Sequence, residues 1–156
     1  MSDASVDDID KQLLHHLQRD GRMSAVELAE RLEVSDNTVR NRMHQLEDAG
    51  VIIGYTAETD YRKTDFELCF MFVCTARISD RRSVAENIRE LPRVIEVTEL
   101  MTGQRNLHIK AVGTDDQEIT TIAERIDGLN LEINDEILIR EEHKTPVDYT
   151  AIKENE

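Results

Sequence analysis

The sequence has no tryptophan, only two cysteines and two prolines, and no long apolar run in its 156 residues. Two cysteines without a secretory signal exclude a disulfide-rich scaffold and predict a protein of the reducing cytoplasm. No stretch approaches the roughly 18–20 apolar residues that a membrane span needs, and the acidic N-terminus lacks a signal peptide's basic region. We therefore expect no membrane partner.

Basic charge is also scarce, because 19 basic residues stand against 33 acidic ones and give a formal net charge of −14. Composition alone thus disfavours a nucleic-acid-binding protein, because such proteins usually present a basic surface. Of the 19 basic residues, 14 are arginine and five are lysine. An acidic, lysine-poor surface is typical of proteins in molar salt, where charge repulsion is screened. We interpret it as halophilic character, with an ordinary acidic mesophilic protein as the alternative.

The first 50 residues predict three short helices. Asp7 is expected to cap the first helix. This helix is expected to end at Asp20-Gly21, where Gly21 can adopt a positive φ. Ser24 and Glu27 have the spacing of a capping box for the second helix. Ser35 follows almost at once as the cap of the third. Two helices joined by so tight a turn, behind a supporting helix, indicate a helix-turn-helix module.

The remainder of the chain has a different pattern. The β-branched residues 51–56 predict the strand of a small wing. Further strands are predicted at 68–78, 94–102, 107–112 and 133–139, with helices around 84–91 and after a capping box of Thr114 and Gln117. This βαββαβ order is typical of a ferredoxin-like fold. The expected class is α+β, with a helix-turn-helix domain at 1–62, including a short β linker, and a ferredoxin-like domain at 63–156.

The strand at 68–78 is apolar on both of its faces. One face carries Phe70, Phe72, Cys74, Ala76 and Ile78, and the other carries Cys69, Met71 and Val73. The two helices can cover one face only, so the other needs a partner, and a homodimer is the simplest solution. The two cysteines project to opposite faces and are not expected to pair.

Polar residues of the third helix lie opposite its buried stripe, as the 100° advance per residue shows. Asparagine, glutamine and arginine match the donors and acceptors of base edges, whereas serine and threonine suit phosphates. An ordinary solvated helix face is the alternative. The residues predicted to bind DNA are Ser24, Ser35, Asn37, Thr38, Arg40, Asn41, Arg42, His44 and Gln45.

Several short motifs, in their order and spacing, carry a resemblance to a known family. They are Asp7-Asp8-Ile9-Asp10, Asp20-Gly21-Arg22-Met23-Ser24, Glu27-Leu28-Ala29, Gly50-Val51-Ile52-Ile53-Gly54-Tyr55, Leu91-Pro92-Arg93-Val94 and Thr102-Gly103. With them the chain resembles the Lrp/AsnC family of transcription regulators. The resemblance implies a winged helix-turn-helix domain that binds pseudo-palindromic double-stranded DNA. It also implies a RAM or ACT-like domain that forms dimers and larger oligomers and binds effectors, often amino acids, between dimers.

The effector region implied by this resemblance is the turn that holds Thr102, Gly103, Gln104, Arg105 and Asn106. The family commonly has an aromatic and an acidic residue where this chain has Arg105 and Asn106. An aspartate binds an ammonium group, whereas Arg105 suits a carboxylate or another anion. A plain hairpin turn without any effector is the alternative.

No sequence motif points to an enzyme. The chain has no phosphate-binding glycine loop, nucleophile elbow or HExxH zinc motif, so we expect no catalytic residues, metal ligands or cofactor. The rival hypothesis is a sirohaem-decarboxylase-like tetrapyrrole enzyme, whose two-domain architecture this chain also resembles. A third hypothesis is a regulator that binds metabolites or proteins without contacting DNA. The polar third helix favours DNA.

Overall fold

The computed structural model describes residues 5–149, which belong to two compact units. One unit contains the chain up to Glu58 together with the chain from His143 onward, and the other is Thr59–Glu142. Residues 143–149, which follow the last strand, therefore group with the helices of the first unit. We call the two parts the helical unit and the sheet unit.

The helical unit contains α1 (Asp8–Arg19), α2 (Ala25–Leu32) and α3 (Asp36–Asp48). Each helix begins where the sequence predicted, because a side-chain oxygen accepts a backbone N–H of the first turn. The apolar faces of the three helices meet in a small core. Its buried residues are Leu13, Leu14, Leu17, Leu28, Ala29, Val39 and Leu46. The predicted helix-turn-helix module is confirmed.

Two local predictions in this unit are wrong. Residues 51–60 form no strand, and Ile53 is 95% exposed, because β-branched residues need a neighbouring strand before they can form a ladder. Gly21 does not adopt a positive φ; α1 instead ends at an extended Asp20, whose carboxylate accepts the Arg22 N–H. The glycine with a positive φ is Gly50, at +70°, directly after α3.

The sheet unit has the predicted βαββαβ order. After a short 3₁₀ helix at Tyr61–Lys63 come β1 (Leu68–Thr75), α4 (Arg81–Arg89), β2 (Val94–Glu99), β3 (Leu107–Gly113), α5 (Asp116–Asp127) and β4 (Glu132–Leu138). The strands form one antiparallel sheet in the order β2-β3-β1-β4. The predicted fold class is therefore confirmed, although the chain does not form the wing strand.

One face of the sheet packs against α4 and α5 around the fully buried Phe72. The sequence placed Ile78 on this face, but β1 ends at Thr75 and Ile78 is 68% exposed beyond it. The cap of α5 is also displaced by one residue from the predicted Thr114. The Asp115 carboxylate accepts the Glu118 N–H at 2.8 Å, which makes Asp115 the N-cap.

The opposite face of the sheet carries no helix of this unit. Alternation along β1 places Cys69, Met71 and Val73 there, as predicted, and the register sets Lys110 of β3 beside Met71. The Lys110 side chain is only 12% exposed and forms ion pairs with Glu96, at 3.1 Å, and Glu142. The register also sets His108 and Asp135 beside Val73, so this face combines the apolar side chains of β1 with polar and charged side chains of the neighbouring strands.

Candidate nucleic-acid interface and effector site

The turn between α2 and α3 is fixed by backbone geometry and side-chain caps. Ser24 accepts the Glu27 N–H while Glu27 accepts the Ser24 N–H, so the predicted capping box of α2 is present. Glu33 ends α2 in the left-handed region, with φ +54°. Ser35 then accepts the Thr38 N–H at 3.1 Å and starts α3. Only Glu33 and Val34 separate α2 from the cap of α3, which is a compact helix-turn-helix.

One exposed row of amide side chains runs along α3. Asn37, Asn41 and Gln45 recur every four residues, and all three are exposed on the face opposite the buried Val39. The Thr38 hydroxyl lies 2.8 Å from that of Ser35, and His44 lies 3.5 Å from Glu47. The row offers paired donors and acceptors to a base edge. We call these three residues the amide row.

The two arginines of α3 have different surroundings. Arg40 lies 3.9 Å from Asp36 in its own helix, and its side chain is 58% exposed. Arg42 instead donates to Asp7 at 2.7 Å and to Asp10 at 2.9 Å, both at the start of α1, and its side chain is 23% exposed. Arg42, which the sequence grouped with the DNA contacts, thus faces another helix.

The segment after α3 is held by Tyr55. Its hydroxyl donates to the Glu47 carboxylate at 2.8 Å. Burial, together with the hydrogen bond and negative charge of Glu47, raises the pKa of Tyr55 to about 12, so the phenol keeps its proton at neutral pH. This contact ties the extended segment to the last turn of α3.

The turn between β2 and β3 contains the residues expected to bind an effector. Thr102 donates to the Gln104 carbonyl, and Arg105 has a left-handed φ of +51°. The Arg105 N–H donates to the Thr75 hydroxyl at 2.8 Å, and its guanidinium forms an ion pair with Asp135 of β4. Because Arg105 already has an acidic partner, an anion would have to compete with Asp135.

Asn106 differs from its neighbours because it is fully buried. Its side-chain oxygen accepts the Ala76 N–H at 2.9 Å, and its side-chain nitrogen donates to the Ala76 carbonyl at 2.8 Å. Both ends of the amide are therefore engaged with the backbone after β1. Asn106 shapes the turn, while Thr102, Gly103, Gln104 and Arg105 are exposed.

A cleft of about 840 Å³ opens beside this turn within the sheet unit. Gly103 and Gln104 form part of one wall, and the ends of β1 and β4 form the others. Arg77, Asp80 and Glu132 supply charges of both signs to the lining. The sequence missed these last three residues, since Arg77 and Asp80 follow the end of β1 while Glu132 begins β4, and the proximity of these strand ends depends on the sheet order.

Metal-ligand clusters and membrane-spanning helices are absent from the described part of the chain. Within residues 5–149 no three histidine, cysteine or acidic side chains are grouped as metal ligands, and no helix is long and apolar enough to cross a membrane. Cys69 and Cys74 are free thiols. Burial, aided by the negative charge of Glu136, raises the pKa of Cys74 to about 12, so this thiol stays protonated at neutral pH.

Comparison with known proteins identifies the family. Residues 6–47 match the AsnC-type helix-turn-helix domain. An HTH-type transcriptional regulator of Pyrococcus abyssi is 33% identical over 114 residues, which are 73% of this chain and 72% of that protein. The chain belongs to the Lrp/AsnC family of transcription regulators. It is accordingly a DNA-binding regulator, and members of this family act as oligomers.

Solved structures share the fold of this Lrp/AsnC protein over nearly the whole chain. Bacillus subtilis LrpC superimposes with a TM-score of 0.76 at 22% identity, covering 90% of this chain and 98% of that one. A transcriptional regulator from Neisseria meningitidis, solved as a complex with L-methionine, gives 0.78 at 23% identity, covering 95% and 99%. None of these three relatives is named as an enzyme.

Proposed function

We propose that this Lrp/AsnC regulator reads the major groove of a specific operator with α3 and its two cap residues, the segment 35–49. The observation that supports this best is the exposed amide row, Asn37, Asn41 and Gln45, on the second helix of a capped helix-turn-helix. Amide side chains can donate to and accept from one base edge at the same time. Ser24, Ser35, Thr38, Arg40 and His44 are proposed to contact phosphates or flanking bases. We propose that this regulator is located in the cytoplasm, together with the DNA.

The test is selection of binding sites from random DNA, followed by affinity measurements on the selected site. We expect Asn41→Ala and Gln45→Ala each to weaken specific binding by about tenfold, because a bidentate base contact contributes about 1–3 kcal/mol. Gln18→Ala is the matched control, since Gln18 is an exposed amide on α1 outside the turn. Failure to enrich any sequence, together with absence of protected sites on genomic DNA, would overturn the proposal. Incubation with sirohaem, followed by absorbance, tests the enzyme alternative.

Self-association is proposed to occur through the open face of the sheet. The half-buried Met71 lies there without a covering helix of the unit, beside the buried Val73, and an apolar strand of this kind favours a second copy. Two-fold symmetry predicts half-sites about one helical turn apart. Met71→Lys should shift the mass measured by light scattering towards the monomer. Val26→Lys, at an apolar side chain 51% exposed on α2, should not.

We further propose that the cleft beside the 102–106 turn binds a small metabolite with both an ammonium and a carboxylate group. Arg77 can pair with the carboxylate, and Asp80 or Glu132 can pair with the ammonium. Thermal shifts with individual amino acids test the idea. Arg77→Gln should remove the shift, whereas Arg82→Gln, whose side chain is 88% exposed on α4, should retain it. If none of the amino acids shifts the melting temperature, the plain hairpin turn without an effector is favoured.

Adaptation to high salt is a separate proposal that rests on charge. The first 60 residues carry 13 acidic side chains against six basic ones, so DNA meets an acidic domain. At about 1 M salt the Debye length is about 3 Å, which removes long-range repulsion but leaves hydrogen bonds at contact distance. We expect a shallow or inverted salt dependence of DNA affinity from low to molar KCl. A steep negative slope would contradict it.

A further inference from the structure

Arg42 joins two helices through a pair of carboxylates. Its Nη1 lies 2.7 Å from Asp7 Oδ2 and 2.9 Å from Asp10 Oδ1. These two aspartates already form the capping box of α1, in which each accepts the backbone N–H of the other. One guanidinium therefore completes a three-residue cluster at the start of α1, and we call this cluster the clasp.

The electrostatics of the clasp favour the charged forms of Asp7 and Arg42. Two carboxylates in one capping box repel each other, and the attraction of both to the guanidinium between them offsets that repulsion. The hydrogen bond from the Asp10 N–H, followed by that from Arg42, lowers the pKa of Asp7, while the hydrogen bonds to Asp7 and Asp10 raise the pKa of Arg42. The side chains of Asp10 and Arg42 are 14% and 23% exposed and that of Asp7 is 49% exposed, so solvent competes less for the Arg42–Asp10 contact than for the Arg42–Asp7 contact.

The clasp lies close to the proposed recognition face. Arg42 directly follows Asn41, the middle residue of the amide row, and is one helical turn from Thr38. α3 packs mainly against α2, and the clasp adds a polar connection from the middle of α3 to α1. A small rotation of α3 would move Asn37 and Gln45 relative to a base edge, which matters because recognition requires placement within about 0.5 Å.

We propose that Arg42 is a positioning residue for DNA recognition, which holds the amide row in register by clasping α1 and makes no contact with DNA itself. The inference rests on the proposed reading of DNA by α3. Arg40 provides the contrast. Its carboxylate partner, Asp36, belongs to the same helix, so this pair cannot orient α3 against a neighbour.

Four variants test the clasp on the selected DNA site: Arg42→Gln, Arg42→Lys, the double change Asp7→Asn with Asp10→Asn, and the combination of Arg42→Gln with both aspartate changes. Arg93→Gln is the matched control, because Arg93 pairs with Glu118 at 2.8 Å in the sheet unit. Affinity for specific and for random DNA is measured from low to high KCl. Circular dichroism at 222 nm reports whether the helices are intact.

A positioning role predicts that Arg42→Gln and the double aspartate change each weaken specific binding by about five- to tenfold, and that their combination is hardly worse than either. The slope of log affinity against log salt should stay unchanged, as should binding to random DNA. Arg42→Lys should restore part of the affinity. Arg93→Gln should bind as the parent protein does.

A direct phosphate contact predicts the opposite pattern. Arg42→Gln would make the salt slope shallower by about 0.9, and loss of two negative charges at Asp7 and Asp10 would strengthen binding. Either result overturns the proposal. If Arg42→Gln loses helical structure, the aspartate double variant still separates the two roles of Arg42. A positioning role predicts weaker specific binding by this variant, and a direct phosphate contact predicts stronger binding. Absence of specific binding by the parent protein would instead reject the proposed function.

Discussion

In the described residues, the core of the helical unit contains seven buried apolar side chains, whereas the core of the sheet unit contains 13. The helical unit adds polar links at its helix ends, since α1, α2 and α3 all begin at side-chain caps. In the sheet unit, α5 also begins at a side-chain cap, on Asp115, whereas α4 begins at Asp80 without one. Every helix beside the small core thus has a side-chain cap, whereas one of the two helices beside the larger core has none, and the cap at Ser35 starts the helix that carries the proposed reading face.

The two units should differ most in their response to truncation of one buried core side chain. Leu28→Ala and Ile88→Ala both remove a fully buried aliphatic group and should cost about 2–5 kcal/mol each. In the small helical core this loss is expected to unfold α1–α3 and abolish DNA binding, while self-association persists. Urea titration followed by circular dichroism, with light scattering, measures both. Normal DNA affinity in Leu28→Ala would contradict the comparison.

A buried amide should make the next largest contribution, this time in the sheet unit. Asn106→Ala leaves the N–H and carbonyl of Ala76 without their side-chain partner, and should lower the free energy of unfolding by about 2–3 kcal/mol. Asn134→Ala is the control, because the half-buried Asn134 accepts only from the Thr75 hydroxyl and donates to Glu132. Chemical denaturation should show a clearly smaller loss for it.

Helix caps should have smaller effects. Ser24→Ala at α2 and Asp115→Ala at α5 should each cost about 1 kcal/mol, since each removes an acceptor for a first-turn N–H. Ser79→Ala, just before the uncapped start of α4, should be nearly neutral because its hydroxyl only donates to Asp80. Thermal unfolding of the three variants measures the order. A cost at Ser79 equal to that at Ser24 would remove the distinction between the units.

The smallest effect should be the loss of the stabilisation from Asp7 at acidic pH. Because the pKa of Asp7 is lowered in the folded protein, its stabilisation is complete above the unfolded value of about 4 and disappears as the pH falls through the folded value. The stability gap between the parent protein and Asp7→Asn should therefore be constant above about pH 5 and shrink below pH 4. Urea titrations between pH 2.5 and 6 test this. A gap that widens in acid would contradict the sign.

Local signals explain why much of the fold could be predicted from the sequence. Ser24 with Glu27, and Ser35 before α3, are cap patterns that act within four residues, and the structure contains both. The prediction of a strand at 51–56 failed because strand formation depends on a partner that the propensity of β-branched residues cannot supply. Ile78 was misplaced for a related reason, as periodicity does not show where a strand ends.

The site residues were less accessible to sequence reasoning. The composition of α3 suggested its polar face, and which of those side chains contact DNA stays a prediction. The role of Arg42 depends on Asp7 and Asp10, which lie 35 and 32 positions away. Asn106 is similar, because its partner Ala76 is 30 positions distant. Side chains with distant partners carry no local signal.

The return of the chain to the helical unit has a practical consequence for dissecting the protein. Tyr149 packs against the core of α1–α3, and Asp148 lies 3.7 Å from His15. A fragment that stops at residue 58 therefore lacks part of its own hydrophobic cover. Adding a synthetic peptide of residues 143–149 should raise the melting temperature of such a fragment, as in peptide complementation, and Tyr149→Ala in the peptide should weaken the rescue.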